Sequence, residues 1–345
     1  MTPSSPLSEL AGFSQALVDW FREQGRSYPW RLTTDPWAIL VSEVMLQQTT
    51  IPTVLARYED WMRRFPTPAA LAATTEEEAL RSWEGLGYYR RVRSLRAAAQ
   101  AIEQTHGGVF PSSPAAIRAL PGIGDYTVGA LLSFAWNQPA PLVDANVSRV
   151  FARVFNDYTP IDSPAGRKKH WEWAAALVHP TDARAYNSAL MELGQTLCTP
   201  SAPNCLLCPV RTWCRATEPE NLPAKLPKQQ VTTLEHWDVW LLTDQGLLME
   251  KQSSQGRHAG MFRLPQRPQD FAESLPLLCH QKYCVTRYKV TRHLHRASAS
   301  PAFPLLAGEV FIPLSALAST PMASPDRKLV LKFLKTSPRL TNGHF

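Results

Sequence analysis

Two acids, Asp144 and Glu43, and a glycine turn are the residues of this chain whose types and spacing could do chemistry. The turn 121–124, Pro-Gly-Ile-Gly, opens a helical sequence, and Asp144 follows about twenty residues later in an otherwise uncharged run, Pro139 to Val147. Gly122 and Gly124 let the backbone approach a ligand closely, and the free N–H groups of a helix N-terminus bind phosphate. A phosphate-binding turn near a lone acid predicts chemistry on a nucleic acid backbone or base.

Each of these residues also has a purely structural interpretation. The turn could be an ordinary corner between helices, and Asp144 could simply cap a helix over residues 147–155. Glu43 is the single acid of an apolar helical stretch, and it could be a solvated surface acid. If Glu43 is buried instead, its pKa rises, and the carboxyl group can hold a proton near neutral pH as a general acid.

Four of the six cysteines are clustered in seventeen residues, at the spacing Cys198-x6-Cys205-x2-Cys208-x5-Cys214. Zinc ligand sets usually form two close pairs, whereas this set has one close pair and two longer gaps. The gaps favour a [4Fe–4S] cluster, with tetrahedral zinc as the alternative, because four thiolates serve both. Cys279 and Cys284 stand apart, and this usage indicates a reducing, intracellular setting.

Composition and charge set the broad class of the protein. The 345 residues are 44% hydrophobic, which predicts two domains. The net charge is +7, and residues 231–345 carry +6 of it, so an anionic partner is permitted. The N-terminus lacks a basic segment with a long apolar run, and no apolar stretch approaches the ~20 residues that span a bilayer. These patterns predict no membrane association and a cytoplasmic location.

The chain changes character near residue 216. Residues 7–135 read as successive amphipathic helices, and helical patterns continue at 171–178 and 186–197. The proline-containing segment 216–230 is typical of a linker, and strand-like patterns follow at 236–242 and 308–312, with a closing helix at 326–334. The sequence therefore predicts a mainly α N-terminal domain, 1–215, and a smaller α+β domain, 231–345.

The cysteine spacing after a helical domain resembles the endonuclease III superfamily of DNA glycosylases. The resemblance implies a helix-hairpin-helix element at 120–130 and a cluster loop at 198–214 that positions Arg211 and Arg215 near DNA. Tyr126 stands where bifunctional members have a lysine, and a phenol cannot form a Schiff base, so the reaction should use water and leave the strand intact. The segment 143–150 resembles the catalytic aspartate segment, with Asn146 and Arg149 as orienting and backbone-contact groups.

Trp30-Arg31 and the run 35–49 resemble adenine DNA glycosylases of the MutY type in particular. The resemblance implies that Glu43 protonates N7 of adenine and that ionised Asp144 stabilises the oxocarbenium-like sugar. It further implies that some residues enter the vacated stack or contact DNA: Gln48, Thr49 and Tyr88. The residues that it implies for the lining of the adenine pocket are Arg26, Trp30, Arg31, Leu46 and Ser188. Ser188 stands where resembling proteins carry a longer glutamate or glutamine. Arginines 90, 91, 93 and 96 are expected to face phosphates, with a solvated helix face as the alternative.

Residues 256–266 resemble the Nudix-like domain with which this family reads 8-oxoguanine opposite adenine. The glutamate-rich signature of Nudix hydrolases is absent, so the domain should bind and not hydrolyse. Thr291-Arg292-His293-Leu294-His295 stands where the family usually has Phe-Ser-His-x-His. Both histidines are kept, and Arg292 could replace the lost contacts with a bidentate hydrogen bond to a guanine edge, beside His293.

Together the residues and the resemblance predict a monofunctional DNA glycosylase that removes adenine mispaired with 8-oxoguanine or guanine in base excision repair. The expected partner is double-stranded DNA with such a mispair, and the expected state is a monomer. For a DNA glycosylase, the resemblance further implies a location at the nucleoid of a bacterium. Two alternatives remain: an endonuclease III-like glycosylase with AP lyase activity, and a non-catalytic iron–sulfur protein that binds damaged DNA.

Overall fold

The computed structural model describes residues 10–227, 230–253, 259–285, 287–298, 300 and 303–336. Two compact units account for these residues. The first contains residues 10–73 and 94–227, and the second contains 74–93 and the described residues from 230 onward. Gly256, Arg257 and His258, which carry part of the resemblance to the Nudix-like domain, lie outside the described residues.

The first unit is built from helices. They are α1 (Phe13–Gln24), α2 (Pro36–Leu46), α3 (Ile51–Arg64), α4 (Pro68–Ala72), α6 (Arg90–His106, from residue 94), α7 (Pro114–Ala119), α8 (Asp125–Trp136), α9 (Ala145–Val154), α10 (Pro164–Leu177) and α11 (Ala183–Thr196). The main core lies between α1, α8, α9, α10 and α11, where Leu17, Phe151 and Leu193 are fully buried. This core holds α9 and α11 against each other.

Three of these helices begin at an aspartate. Asp35, Asp144 and Asp182 stand immediately before α2, α9 and α11, and each carboxylate accepts a backbone N–H of the first turn. Such a cap satisfies donors that have no partner inside the helix. Pro36 then occupies the first position of α2, where its missing N–H costs nothing. The caps fix where the helices that carry the conspicuous acids begin.

The glycine turn joins α7 to α8, as the helix-hairpin-helix prediction requires. Gly122 has φ 77°, and a side chain there would bring a Cβ atom to 2.4 Å from the Cβ of Ser94. Gly124 caps α8 with φ −107°, an extended conformation that any residue adopts. Only Gly122 therefore requires glycine for the turn itself, whereas a Cβ atom at Gly124 would make only an ordinary contact of 3.7 Å with Nη1 of Arg118.

The second unit combines two sheets with short helices. Its strands are β1 (Thr232–Trp240), β2 (Leu242–Thr243), β3 (Gly246–Lys251), β4 (Phe262–Arg263), β5 (Leu277–Val285), β6 (Tyr288–Arg296) and β7 (Glu309–Ile312). Its helices are α5 (Glu76–Ser82), α12 (Gln269–Glu273), α13 (Leu314–Leu317) and α14 (Ser324–Thr336). One sheet has the order β1-β6-β5, with β1 parallel and β5 antiparallel to β6, and in the other β3 pairs antiparallel with β2, β4 and β7.

The unit boundaries differ from those expected from sequence at two places. Residues 74–93 belong to the second unit, where Tyr89 donates to the carbonyl of Met322 and Glu84 pairs with Arg327. Residues 216–227, expected to be linker, belong to the first unit, where Leu222 is only 2% exposed. Long-range side-chain contacts decide both assignments, and proline content alone does not reveal them.

The predicted fold class is confirmed by this architecture: a mainly α first part and a smaller α+β second part. Among the described residues, no helix combines the length and the apolar character needed to cross a bilayer.

Candidate active site

A cleft of about 860 Å³ in the first unit brings together most of the residues singled out from the sequence. It lies between α2, α8, α11 and the loops before α2 and α9. The predicted catalytic and pocket residues that line it are Arg26, Trp30, Arg31, Glu43, Leu46, Gln48, Thr49, Tyr126, Asp144, Asn146 and Ser188.

Glu43 is the acid of a helix, α2, that is buried along most of its length. Residues 37–45 of α2 are all buried, and Glu43 itself is 4% exposed, so it is not the solvated acid of the structural alternative. Its Oε2 accepts a hydrogen bond of 2.7 Å from the phenol of Tyr126. Burial, reinforced by the nearby carboxylate of Asp144, raises the pKa of Glu43 to about 7, against the lowering effect of Tyr126 and Arg31. The group can therefore carry a proton at neutral pH.

Tyr126 keeps its own proton. Burial, followed by the proximity of Glu43 and Asp144, raises the pKa of the phenol well above its usual value. A protonated phenol donates to Glu43 and makes a second, longer contact of 3.9 Å to the Sδ atom of Met191. The sequence identified Tyr126 only by what it cannot do, and the contact with Glu43 gives it an orienting part that the sequence did not reveal.

Asp144 is both the helix cap of the structural interpretation and a residue of the cleft. Its Oδ1 accepts from the N–H of Val147 at 2.7 Å, and its Oδ2 accepts from Nδ2 of Asn146 at 2.9 Å. Burial raises the pKa of Asp144, while these two hydrogen bonds and the charge of Arg149 act in the opposite direction and stabilise the carboxylate. The carboxylate is thus fixed in position by neighbours on its own helix.

Arg149 supports this arrangement from within α9. Its guanidinium donates to Oδ1 of Asn146 at 2.9 Å, to the carbonyl of Gly194 at 2.7 Å and to the carbonyl of Cys198 at 2.8 Å. Arg149 is 7% exposed, so it is a buried brace and not the backbone contact to DNA expected from sequence. The same contacts join the aspartate loop to α11 and to the first cysteine.

The end of the cleft near Trp30 has an aromatic wall. The indole of Trp30 stacks on Tyr28 at 5.2 Å and meets Tyr58 edge-on at 5.4 Å. Arg31 lies beside it and donates to the carbonyl of Arg26 at 2.8 Å. Flat apolar faces beside a fixed donor are suited to a heterocyclic base.

Glu192 is a residue of this region that the sequence reasoning missed. It is 1% exposed, and its carboxylate pairs with Arg31 at 2.8 Å and with Arg26 at 3.4 Å. Glu192 lies one helical turn after Ser188 on α11. A lone acid on a helix rich in apolar residues was the signal that identified Glu43, and the same signal could have found Glu192.

Gln48 and Tyr88 share an unusual backbone conformation. Both have positive φ, 55° for Gln48 and 46° for Tyr88, which is uncommon for residues other than glycine. Gln48 and Thr49 follow α2 at the rim of the cleft, and Tyr88, in the second unit, is 47% exposed. Strained conformations of this kind are concentrated at functional sites.

The four clustered cysteines line one cavity of about 340 Å³ in the first unit. Burial raises the pKa of the Cys208 thiol to about 11, and the three neighbouring cysteines act in the same direction. Nη1 of Arg153 lies 3.2 Å from Sγ of Cys198. Yet no three histidine, cysteine or acidic side chains in the described part of the chain are arranged around a single ion. Four thiols that line one cavity are a donor set that could hold either an iron–sulfur cluster or zinc.

Two of the arginines expected at a nucleic-acid surface are engaged in contacts with other groups of the protein. Arg91 is 9% exposed and donates to loop carbonyls, and Arg93 pairs with Glu76 at 2.7 Å and donates to the carbonyl of Ala259. The idea that arginines 90, 91, 93 and 96 form one phosphate-facing cluster is therefore wrong for these two. Arg211 and Arg215, beside the cysteines, are exposed.

Arg292 corrects a further prediction. It is 2% exposed on the inner side of β6, where it pairs with Asp238 and, at 2.9 Å, with Asp326. A guanidinium enclosed by two carboxylates cannot present a fork to a guanine edge, so the predicted readout by Arg292 is wrong. His293, the next residue, points to the opposite face, stacks on Trp237 at 5.4 Å and bonds Glu235 at 2.6 Å.

Comparison with known proteins agrees with this geometry. The family model of the HhH-GPD superfamily of base excision DNA repair proteins matches residues 41–175. An adenine DNA glycosylase of Mycobacterium tuberculosis is 43% identical over 199 residues, which are 57% of this chain and 65% of that protein. One of Buchnera aphidicola is 31% identical over 259 residues, 74% of this chain and 73% of that protein. This chain thus matches a little under two thirds of the mycobacterial protein's length.

Among solved structures, a thermostable thymine-DNA glycosylase superposes with a TM-score of 0.57 at 29% identity. The match covers 61% of this chain and 97% of that one. The likeness to that structure and the match to the Buchnera protein agree on the helical glycosylase fold. The chain belongs to the family of adenine DNA glycosylases in the HhH-GPD superfamily of base excision DNA repair proteins.

Proposed function

We propose that the protein is a monofunctional DNA glycosylase that hydrolyses the N-glycosidic bond of adenine mispaired with 8-oxoguanine or guanine. One observation carries the proposal: Glu43 and Asp144 face the same cleft in different electrostatic surroundings. Glu43 is buried with a pKa of about 7, whereas Asp144 is held by an N–H, an amide and a nearby guanidinium. A proton donor beside a carboxylate is the arrangement that glycoside hydrolysis needs.

The chemistry follows from these surroundings. Protonated Glu43 gives its proton to N7 of the adenine, which makes the base a neutral leaving group. Tyr126 remains protonated during the reaction, and its hydrogen bond of 2.7 Å orients Glu43. As the bond to the base breaks, positive charge develops on the sugar, and ionised Asp144 stabilises it. Water then adds to C1′ and releases a proton to solvent, and the DNA strand stays intact because no lysine amine at position 126 can form an imine.

The adenine must leave the duplex before Glu43 can reach it. In the proposal its ring occupies the end of the cleft formed by Trp30, Arg31 and Leu46, with Arg26 and Ser188 beside it. Ser188 is short and 5% exposed, so it contributes a hydroxyl where a longer side chain would reach the base. Glu192 fixes the guanidinium of Arg31 from behind.

DNA contacts are assigned to exposed residues of several elements. Gln48, Thr49 and Tyr88 are proposed to contact the bases left behind, which is supported by the positive φ of two of them. The turn containing Gly122 and Gly124 is proposed to bind a phosphate at the N-terminus of α8. We further propose that the protein acts as a monomer on double-stranded DNA at the nucleoid.

We propose that Cys198, Cys205, Cys208 and Cys214 hold a [4Fe–4S] cluster. The cluster would brace the loop that carries Arg211 and take no part in the reaction. Purified protein should then contain about four irons per chain and absorb broadly in the visible range. One zinc per chain without visible absorbance would overturn this assignment.

The second unit is proposed to inspect the opposite base, with His293 as its remaining candidate. The imidazole is 23% exposed on an outer sheet face beside Trp237 and Glu235. Because Arg292 is buried inside the unit, the proposal assigns contact with the opposite base to His293 and not to the guanidinium of Arg292.

Single-turnover excision on duplexes that pair adenine with 8-oxoguanine, guanine or cytosine tests the proposal. We expect adenine release from the first two and little from the third. Release at equal rates from all three would contradict the proposed lesion specificity. Release from none of them would contradict the proposed glycosylase activity. Asp144→Asn should abolish release, and borohydride should trap no covalent DNA adduct. A trapped adduct would favour the glycosylase–lyase alternative.

A further inference from the structure

The loop before α6 holds Tyr88 in an unfavourable backbone conformation. Gly85, Gly87 and Tyr88 all have positive φ, of 92°, 69° and 46°. The two glycines adopt such values freely, but an aromatic residue does so at a cost in free energy. The ring of Tyr88 is 47% exposed, so burial of its own side chain does not account for the conformation. Neighbouring groups must fix the loop.

Arg91 is the residue that fixes it. Its Nη2 donates to the carbonyl of Leu86 at 2.7 Å and to that of Gly87 at 3.1 Å. The indole N–H of Trp83 also donates to the carbonyl of Gly87, at 3.0 Å. These bonds orient the two carbonyls that immediately precede Tyr88, and they do so from a guanidinium that is 9% exposed.

The same guanidinium contacts the aromatic rings on either side of the loop. Its Cζ atom lies 5.3 Å from the ring centre of Trp83 and 5.6 Å from that of Tyr88. A planar cation between aromatic rings restricts where the Tyr88 ring can point. A lysine would keep the charge but could not offer a fixed fork to both carbonyls. The contacts thus specify both the backbone and the ring of Tyr88.

We propose that Arg91 is a positioning residue that preorganises Tyr88 as the wedge. The inference rests on the proposed function, in which Tyr88 enters the stack as adenine is extruded. Because the loop already holds Tyr88 in the required conformation, no binding free energy is lost in ordering Tyr88 when DNA binds. Arg91 therefore acts on the extrusion step through Tyr88 and touches neither the adenine nor the reacting bond.

Arg91→Met tests this role, because methionine keeps an unbranched apolar stem and loses the donors and the charge. Extrusion is followed by the fluorescence of 2-aminopurine placed at the adenine position, and excision by single-turnover kinetics on adenine opposite 8-oxoguanine. Both rates should fall roughly tenfold, the factor by which a left-handed conformation is disfavoured. Arg91→Lys should fall between this variant and the wild type. Arg81→Met, which removes an exposed arginine from α5, is the charge control and should leave both rates unchanged.

A double-mutant cycle separates positioning from a general contribution to the fold. In a Tyr88→Ala background, Arg91→Met should slow extrusion no further. If it slows extrusion as much there as in the wild type, or leaves the wild-type rate unchanged, the proposal is overturned. Should Arg91→Met fail to fold in a thermal melt, Arg91→Lys is carried through the same cycle. Failure of the proposed function is distinct, because the wild type itself would then release no adenine.

Discussion

Two buried carboxyl groups, one in each unit, show how the same physical effect has different consequences. Burial raises the pKa of Glu43 in the first unit and of Asp238 in the second. Glu43 faces a cleft, and its hydrogen-bond donor is a neutral phenol, so its proton can be delivered to a substrate. Asp238 is 0% exposed and pairs with Arg292 inside a sheet domain. Its carboxyl group therefore stabilises the fold and is out of reach of a substrate. A shifted pKa becomes function only where a substrate can reach the group.

Among the changes that test this comparison of Glu43 with Asp238, Glu43→Gln should have the largest effect. The amide can still accept the hydrogen bond from Tyr126, but it has no proton to give, so excision should slow about 10²- to 10⁴-fold. Single-turnover kinetics measure the rate, and circular dichroism verifies the fold. Asp238→Asn is the matched control in the other unit, and its excision rate should stay within a few-fold of the wild type. A Glu43→Gln variant that kept more than a tenth of the wild-type excision rate would show that Glu43 is not the proton donor.

Arg292→Met should act on stability and not on chemistry. It leaves Asp238 and Asp326 buried without their common counter-ion, and breaking a buried ion pair in this way costs about 3–5 kcal/mol. Urea unfolding followed by circular dichroism measures the loss. Under conditions where the variant is still folded, its single-turnover rate should match that of the wild type. Unchanged stability would mean that the second unit does not depend on this ion pair.

The pH dependence of Glu43 links activity to stability. The folded pKa is about 7 against a usual value of 4.5, so the folded state binds this proton more tightly than the unfolded state does. Stability from this group is therefore full below pH ~4.5 and is lost as the pH rises through about 7, by up to about 3 kcal/mol. Excision should fall about tenfold per pH unit above 7 for the same reason.

Glu43→Gln has no titrating group at this position, so its stability should fall less than that of the wild type between pH 5 and pH 8. Chemical denaturation at pH 5 and pH 8 makes the comparison. Parallel stability losses in both proteins over this range would show that Glu43 is not the group responsible.

Gly194→Ala should have a smaller effect on the same cleft. A Cβ atom at this position would lie 2.6 Å from Cβ of Asn146, so α9 and α11 must separate or Asn146 must move. Asn146 bonds Oδ2 of Asp144, and displacement of that carboxylate should slow excision about tenfold or more. The stability cost of overpacking is about 1–3 kcal/mol. DNA affinity should remain near the wild-type value, and Ala189→Gly, on the same helix, tests for a general loss of helix stability.

Much of the first unit follows from local sequence signals. The apolar run ending at Leu46 predicts α2, and the glycine turn predicts the hairpin between α7 and α8. The cysteine spacing predicts a loop whose four thiols lie together, and they line one cavity. Proton-donor chemistry at Glu43 was predicted from one acid in an apolar helix, which is a strong signal because unpaired buried acids are rare. What the sequence could not show were pairings over long distances, such as Arg31 with Glu192 or Tyr126 with Glu43.

The second unit was harder to predict, and the reason is strand register. Successive residues of a strand point to opposite faces, so the order Thr291-Arg292-His293 does not reveal which side chain faces inward. Pairing of Arg292 with His236 of β1 and Gln281 of β5 fixes that choice in the structure. The assignment of residues 74–93 to this unit likewise depends on contacts more than 150 positions away in sequence.

The smallest effect is expected for His293→Ala, and it compares neighbouring residues on the two faces of β6. His293 lies on the outer face against Trp237 and Glu235, so its removal uncovers no buried charge and should change stability little. If it contacts the base opposite adenine, loss of one hydrogen bond should lower the ratio of excision rates for 8-oxoguanine over guanine by about fivefold. Arg292→Met should leave that ratio unchanged in folded protein while lowering stability. A ratio that responds to Arg292 and not to His293 would mean that the inward-facing side of the strand governs selectivity, which would reverse the roles of the two faces.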